Sequence, residues 1–352
     1  MNRQEEISNL DKVKFMVGKG QDFWLDRWKD NDSTEHGEQL YTKEQYVKCL
    51  FKWLPVVLKK KGNMKTKYKY STKMINCGRS YVQGFGIQSL KKDIRGFLCC
   101  DNYFDYDMIN AHPTILLHIA KKYFPDSHRT YLQKYIDNRE DILSKYNFTK
   151  KDFLTEMNKS TPYKNKDNKF LYNVNIEIKQ LQQKIFQSLE EPFINIPKSC
   201  LKKYNKEGGF MNRVICDFEK KILDLVSTDL KDVNFFDGFF STKTRDCNIL
   251  NQKTIYYGIK WAQKEHDTSI QKIFDEEFDA ELPEYETPYE TMKKEFEKTH
   301  FMTTSPLQYY TVIEGKLSTY SKNDFMDLTA PYQIIEHGTE TSFFNLWLKD
   351  KE

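Results

Sequence analysis

The stretch Tyr103-Phe104-Asp105-Tyr106-Asp107-Met108-Ile109-Asn110-Ala111-His112-Pro113-Thr114-Ile115-Leu116 decides how this chain is expected to fold. Phe104, Tyr106 and Met108 alternate with Asp105 and Asp107 at a period of two, so an extended strand turns the acids to one face and the apolar side chains to the other. Pro113 suits a first helical position, and Ile115, Leu116, Ile119 and Ala120 then recur at helical spacing up to Lys121-Lys122. The segment predicts a strand, a tight turn and a helix, with carboxylates delivered at the junction. Alternating acids also line the wet face of ordinary strands. A partner carboxylate elsewhere in the chain separates the two readings.

That partner is in Val233-Asn234-Phe235-Phe236-Asp237-Gly238-Phe239-Phe240-Ser241-Thr242-Lys243. Asp-Gly between apolar runs is a strong hairpin signal, and a hairpin tip can hold one carboxylate beside another strand. Two-metal nucleotidyl transfer needs carboxylates that hold two Mg²⁺ ions roughly 4 Å apart, one activating a hydroxyl and one bridging a triphosphate. Hard cations take oxygen ligands, so Asp is the expected residue type.

The 352 residues allow two domains with cores of their own. Hydrophobic content is 39%, but aromatic content is 15%, so burial can come from rings. Seven cysteines, an odd number with no C-x-x-C pair, read as reduced thiols without a zinc site. No apolar run reaches membrane-span length and Met1-Asn2-Arg3-Gln4-Glu5-Glu6 is no signal peptide. The expectation is an intracellular protein, cytoplasmic or nuclear, without a membrane partner.

The net charge of +4 conceals strong segregation. From Lys59 to Arg95 there are eleven cations and one acid, Asp93. Tyr68, Tyr70, Tyr81 and Phe85 are interleaved with Lys65, Lys67, Lys69, Arg79, Lys91, Lys92 and Arg95, a combination suited to gripping phosphates and stacking bases. Residues 87 to 98 fit a short helix with Lys91, Lys92 and Arg95 outward. Before this stretch, Trp24, Trp28, Phe51, Trp53 and Leu54 read as core anchors.

Residues 126 to 191 read as helical and polar, with Arg139, Lys150 and Lys151 as cations that could neutralise a triphosphate. Gly208-Gly209 then marks a loop before a helix from Phe210 to Val226, striped by Val214, Ile215, Phe218, Ile222, Leu223 and Val226. From Asp275 to Lys298 ten acids face three lysines, with Pro283 and Pro288 among them, which reads as an exposed linker.

Asp107-Met108-Ile109-Asn110-Ala111-His112-Pro113 resembles polymerase motif A, in which an Asp is followed five positions later by a gatekeeping side chain. Asp237-Gly238 is similar to motif C of family A polymerases, whose pattern is His-Asp-Glu; here Phe236 replaces the His and Gly238 the Glu. With Gly78-Arg79, Gln88-Ser89-Leu90, Ile94-Arg95 and Phe236-Asp237-Gly238, residues 75 to 245 resemble the transposon and virus DNA polymerase family related to family A. Phe296-Glu297-Lys298-Thr299-His300-Phe301 and Phe343-Phe344-Asn345-Leu346-Trp347-Leu348-Lys349-Asp350 resemble the segment before the superfamily 3 helicase in viral primase-helicases. No Walker sequence follows, so the expectation is a fragment or shortened relative of a polymerase fused to a helicase.

The resemblance implies that Asp107 and Asp237 are metal ligands, with Asp105 as a third. It puts His112 at the sugar-sensing position, and Lys150 or Lys151 with Arg139 at the triphosphate. The implied fold is α+β: a polymerase-like palm, an antiparallel sheet with packed helices, carrying a helical fingers-like insertion and a mixed N-terminal module. The expected boundaries are a basic nucleic-acid-binding module over 1–100, a palm over 101–265 with the fingers-like segment at about 126–210, an acidic linker over 266–290, and a helicase-associated region over 291–352. The expected activity is template-directed nucleotidyl transfer by a DNA polymerase or primase-polymerase in viral or mobile-element replication. Expected cofactors are two Mg²⁺ ions, with Mn²⁺ as a substitute. Expected partners are a DNA template-primer, or RNA, with dNTPs or NTPs, and a helicase domain in cis or trans. The rival expectations are a non-catalytic DNA-binding or loading module of a superfamily 3 helicase, and a metal-dependent nuclease.

Overall fold

The computed structural model describes residues 2–27, 34–36, 39–70, 77–198, 201, 204–278, 300–302, 308–313 and 316–321. Two units are distinguished, residues 1–281 and 282–352. In chain order the first begins with β1 (Asn2–Ile7), α1 (Leu10–Gly18), α2 (Gly20–Arg27), β2 (Thr34–His36), β3 (Gln39–Tyr41) and α3 (Lys43–Lys59). Then come β4 (Asn63–Tyr70), β5 (Ser80–Val82), α4 (Lys92–Cys99), β6 (Phe104–Ile109) and α5 (Ala111–Tyr123). Four helices follow: α6 (Thr130–Asp137), α7 (Arg139–Lys145), α8 (Lys150–Asn158) and α9 (Lys169–Gln187). The rest of the unit is α10 (Lys206–Val226), β7 (Val233–Phe235), β8 (Gly238–Ser241), α11 (Cys247–Lys253), β9 (Lys260–Lys264) and α12 (Gln271–Phe278).

All strand pairs among the described residues are antiparallel. One sheet has the order β7-β8-β6-β9 and another the order β1-β4-β5, while β2 and β3 form a hairpin. β6 obeys its period-two pattern in the middle: Tyr106 and Met108 are buried while Asp105 and Asp107 lie half-buried opposite them. Phe104 and Ile109, at the strand ends, are exposed instead of buried. The apolar face of this sheet is covered by helices. Tyr106, Met108, Phe239 and Trp261 share one core with Ile115 and Ile119 of α5, Ile178 of α9 and Val214 and Ile222 of α10. Tyr106 and Phe239 stack at 5.4 Å across the β6–β8 pair. Fully burying a ring of this size contributes about 2–3 kcal/mol.

The helix after β6 starts two residues before the position expected from Pro113. Asn110 is its N-cap in the left-handed region, φ 53°, a conformation that Asn tolerates better than most residues. The helix expected from Phe210 begins at Lys206, so Gly208 and Gly209 lie inside α10. Packing explains this: a Cβ at Gly208 would stand 2.1 Å from the Asn158 carbonyl oxygen at the end of α8.

The two sheets are tied by Gln88, whose side chain is buried. Its Oε1 accepts from Val82 N at 2.9 Å, and its Nε2 donates to Asn234 O of β7 at 3.1 Å. In β4, Lys65, Lys67 and Lys69 are exposed while Thr66 and Tyr68 are buried, as a two-residue period dictates. Tyr68 gives its hydroxyl to the buried Glu6 at 2.9 Å and is itself buried, so its ring is not presented for stacking on bases, while Phe85 is half-buried against Tyr46 and Trp53.

Trp24, Trp53 and Leu54 are buried and Phe51 half-buried, as anchors should be. Trp28 and Lys73 lie outside the described residues, as does 279–299, the greater part of the acidic stretch. The start of that stretch is helical, with α12 running through Asp275 to Phe278 and Phe274 buried against Phe15 and Phe97. In the second unit, β10 (His300–Met302), β11 (Gln308–Ile313) and β12 (Lys316–Ser321) form an antiparallel sheet in that order. Residues 343–350 lie outside the described residues.

Candidate active site

The register of β6 and β8 sets Asp107 directly opposite Gly238 and Asp105 opposite Phe240. The turn residues between β7 and β8 are Phe236 and Asp237, one position earlier than an Asp-Gly turn, and Met108 N donates to Asp237 O at 2.8 Å. The two sequence-predicted carboxylate segments are therefore adjacent. Gly238 makes this approach feasible, since a Cβ there would lie 2.4 Å from Tyr106 O and 3.0 Å from Asp107 Oδ1.

Partial burial of clustered carboxylates is electrostatically costly. Burial, then the neighbouring Asp237, pushes Asp107 up to about 6 despite a contact with the Lys264 ammonium. Burial also raises Asp105, against the opposing pull of His266, Arg95 and Lys264. Lys264 lies on β9 directly across from Asp105, and its Nζ meets Asp107 Oδ2. Arg95 is seated over the rings of Phe235 at 4.6 Å and Phe240 at 5.9 Å. The donor type suits a hard divalent cation: the carboxylates come from one strand, β6 (Asp105 and Asp107), and the adjoining turn (Asp237), and Asp107 already meets an internal cation, Lys264.

A second polar group lies under the same segments. Arg79 donates to the fully buried Glu219 carboxylate through Nε at 2.6 Å and Nη2 at 3.0 Å, with Nη2 also 3.0 Å from His112 Nε2. Its guanidinium covers the Phe236 ring at 4.7 Å. His112, Cys216 and Glu219 bring their ligand atoms within 4.8 Å of one another, and the cation among them is Arg79. Burial would drive the Glu219 carboxyl up, but Arg79 and His112 outweigh it and hold it down at about 2. Burial would likewise lower His112, yet hydrogen bonds with Cys216 and Glu219 raise it to about 10.

Other expected site residues fall elsewhere. Arg79, expected on a phosphate-binding surface, is turned inward, where it and His112 pair with the buried Glu219 carboxylate. Arg95 is half-buried beneath the carboxylates, and Lys91 is drawn over the Tyr46 ring at 5.9 Å; Lys92 is exposed. Arg139 donates to Asn110 Oδ1 at 2.5 Å, which ties α7 to the cap of α5. Lys150 and Lys151 are exposed on α8, where they line a hollow of about 660 Å³ with Leu154, Thr155, Asn158 and Asn205. None of the carboxylates lines that hollow. Lys264, Gln88 and Glu219 were not singled out as site residues from sequence. Gln88 belongs to the Gln-Ser-Leu run, but Lys264 and Glu219 carry no sequence signal beyond a charge in an amphipathic element.

Comparison with known proteins yields a partial similarity. Over 62 residues the chain is 42% identical to "Putative helicase V13" of Sputnik virophage, a match covering 17% of this chain and 8% of that protein. The matched part is thus a small fraction of the virophage protein's length. No protein-family model matches the chain, and no solved structure does. Among the described residues, no helix is long and apolar enough to cross a membrane.

Proposed function

We propose that the chain is a template-directed nucleotidyltransferase, a DNA polymerase or primase-polymerase of a viral or mobile-element replication system. The reading rests on Asp107 lying opposite Gly238 with Asp237 in the adjoining turn. On this reading the β7-β8-β6-β9 sheet is the palm, and Asp107 and Asp237, with Asp105, hold two Mg²⁺ ions. When bound, the ions supply activation of the attacking hydroxyl and neutralisation of the triphosphate. The chain's own groups fix that geometry: Gly238 lets the strands close, Gln88 anchors β7, and Arg79 seats the Phe236 side of the turn. On this reading His112, five residues after Asp107, stands at the sugar-sensing position, and the exposed β4 lysines hold the duplex.

The test is primer extension with Mg²⁺, comparing the parent with Asp107→Ala and Asp237→Ala. Loss of synthesis in both is expected; undiminished synthesis in either overturns the assignment. Shortening of the labelled primer would identify a metal-dependent nuclease. The similarity to a virophage protein named as a helicase favours a second reading, a DNA-loading module working with a helicase domain. It predicts salt-sensitive DNA binding indifferent to Mg²⁺ and to both substitutions.

A further inference from the structure

The basic side chains around the carboxylates differ in one respect that matters for ligand entry. Arg95 is sandwiched by contact with Phe235 and Phe240, and His266 has its Nε2 2.7 Å from Tyr103 O with its ring against Phe240 at 5.0 Å. Both are fixed. Lys264 is at the end of β9, its side chain 55% exposed, on a flexible four-carbon stem. Its register partner is Asp105, so its side chain rises on the carboxylate face, and its ammonium crosses diagonally to Asp107.

We propose that Lys264 is an exchange cation: its ammonium occupies Asp107 until a divalent ion displaces it, and the freed ammonium then contacts the polyphosphate that the ion brings. The proposal rests on the metal-binding reading of Asp107 and Asp237. A divalent cation at Asp107 and an ammonium on the same carboxylate oxygen are mutually exclusive by charge and by space. The lysine can leave at little cost because its outer half is already solvated. Arg95 cannot leave, so one charge is exchanged while the other stays as a constant background. Once the ammonium leaves Asp107, a triphosphate brought in by the ion is a concentrated negative charge within reach of its four-carbon stem. A point-charge ammonium suits phosphate oxygens without requiring a fixed orientation.

The experiment measures Mn²⁺ binding by electron paramagnetic resonance, first with Mn²⁺ alone and then with inorganic tripolyphosphate. The proteins are the parent, Lys264→Met, Lys264→Arg, Asp107→Ala and Asp237→Ala. Removing a competing unit charge a few ångströms away should tighten Mn²⁺ binding alone by about five- to tenfold in Lys264→Met. The same variant should bind Mn²⁺–tripolyphosphate about tenfold more weakly than the parent, and Lys264→Arg should follow the parent in both. Unchanged or weaker Mn²⁺ binding by Lys264→Met, with binding still dependent on Asp107 and Asp237, overturns the exchange alone. Tighter Mn²⁺ binding with no loss for tripolyphosphate overturns the phosphate contact. Parent binding that ignores both aspartates overturns the metal reading and the exchange with it.

Discussion

Arg79 and Glu219, 140 residues apart in sequence, form a two-point ion pair in which the carboxylate is fully buried. Around it gather His112, five residues after Asp107, and Phe236, the residue before Asp237. One guanidinium thus touches both segments that supply the carboxylates. Breaking a buried pair from one side strands the other charge, so Arg79→Ala should cost about 3–5 kcal/mol in a urea unfolding series. Arg79→Lys should recover little, because an ammonium cannot reproduce the fork. A loss under about 1 kcal/mol would contradict the pair's structural role.

His112 provides a direct readout of that cluster. Its folded value of about 10 lies above the unfolded 6.5, so its contribution is complete below 6.5 and lost as pH rises through 10. Glu219, held near 2, contributes above 4.5 and ceases to do so as pH falls toward 2. In Glu219→Gln, with Cys216 left in place, the His112 imidazole should therefore titrate at a lower pH in proton NMR. An unshifted titration would mean that Glu219 is not what charges the ring.

Protons and metal compete at Asp107. With its carboxyl raised to about 6, Mn²⁺ affinity should be level above pH 7 and fall with decreasing pH below 6, approaching tenfold per unit. The burial and like-charge causes predict that Asp237→Asn moves this inflection to lower pH. A midpoint near 4 in the parent would show that Asp107 does not carry the raised proton affinity.

Gly238→Ala places a methyl 2.4 Å from the Tyr106 carbonyl, a backbone atom that cannot swing aside. The β6–β8 pair must part, at a cost of about 1–3 kcal/mol by analogy with overpacked interiors. Thermal unfolding should show this loss, and Mn²⁺ binding should weaken as well. Parent-like values in both would mean that the close approach is not required.

The exposed face of β4 makes a separable prediction. Lys65, Lys67 and Lys69 all point to solvent, with Lys65 only loosely paired to Glu5 at 3.7 Å. If they contact phosphates, replacing all three by Ala should flatten the dependence of log binding constant on log salt by about 2–3 units for duplex DNA. An unchanged slope would remove this face from the nucleic-acid surface.

Period and spacing carried the secondary structure well around the carboxylates. The β6 strand, the helix after it and the turn at Asp237 were legible because a two-residue alternation, an Asn-to-Pro junction and an aromatic-flanked Asp-Gly each have a local cause. The interior partnerships were not. Arg79 and Arg95 look like surface cations in one dimension, since no local pattern says that Glu219 or the Phe235–Phe240 pair waits across the fold. Lys264 was missed for the same reason: its meaning depends on strand register, which sequence alone leaves open. Gly208 read as a loop because the close passage of Asn158 is a tertiary fact that overrides helix propensity.

β6 has a neighbour on each side, so both of its rows of backbone N–H and C=O groups are engaged, and the sheet's outer strands are β7 and β9. Spontaneous opening of a sheet begins at its margins. The amides of Tyr106 and Met108 should consequently exchange with solvent deuterium among the slowest in this sheet. The strand that carries Asp105 and Asp107 is also closed to pairing with a foreign strand, so conditions that loosen the margins leave the spacing of the two acids intact.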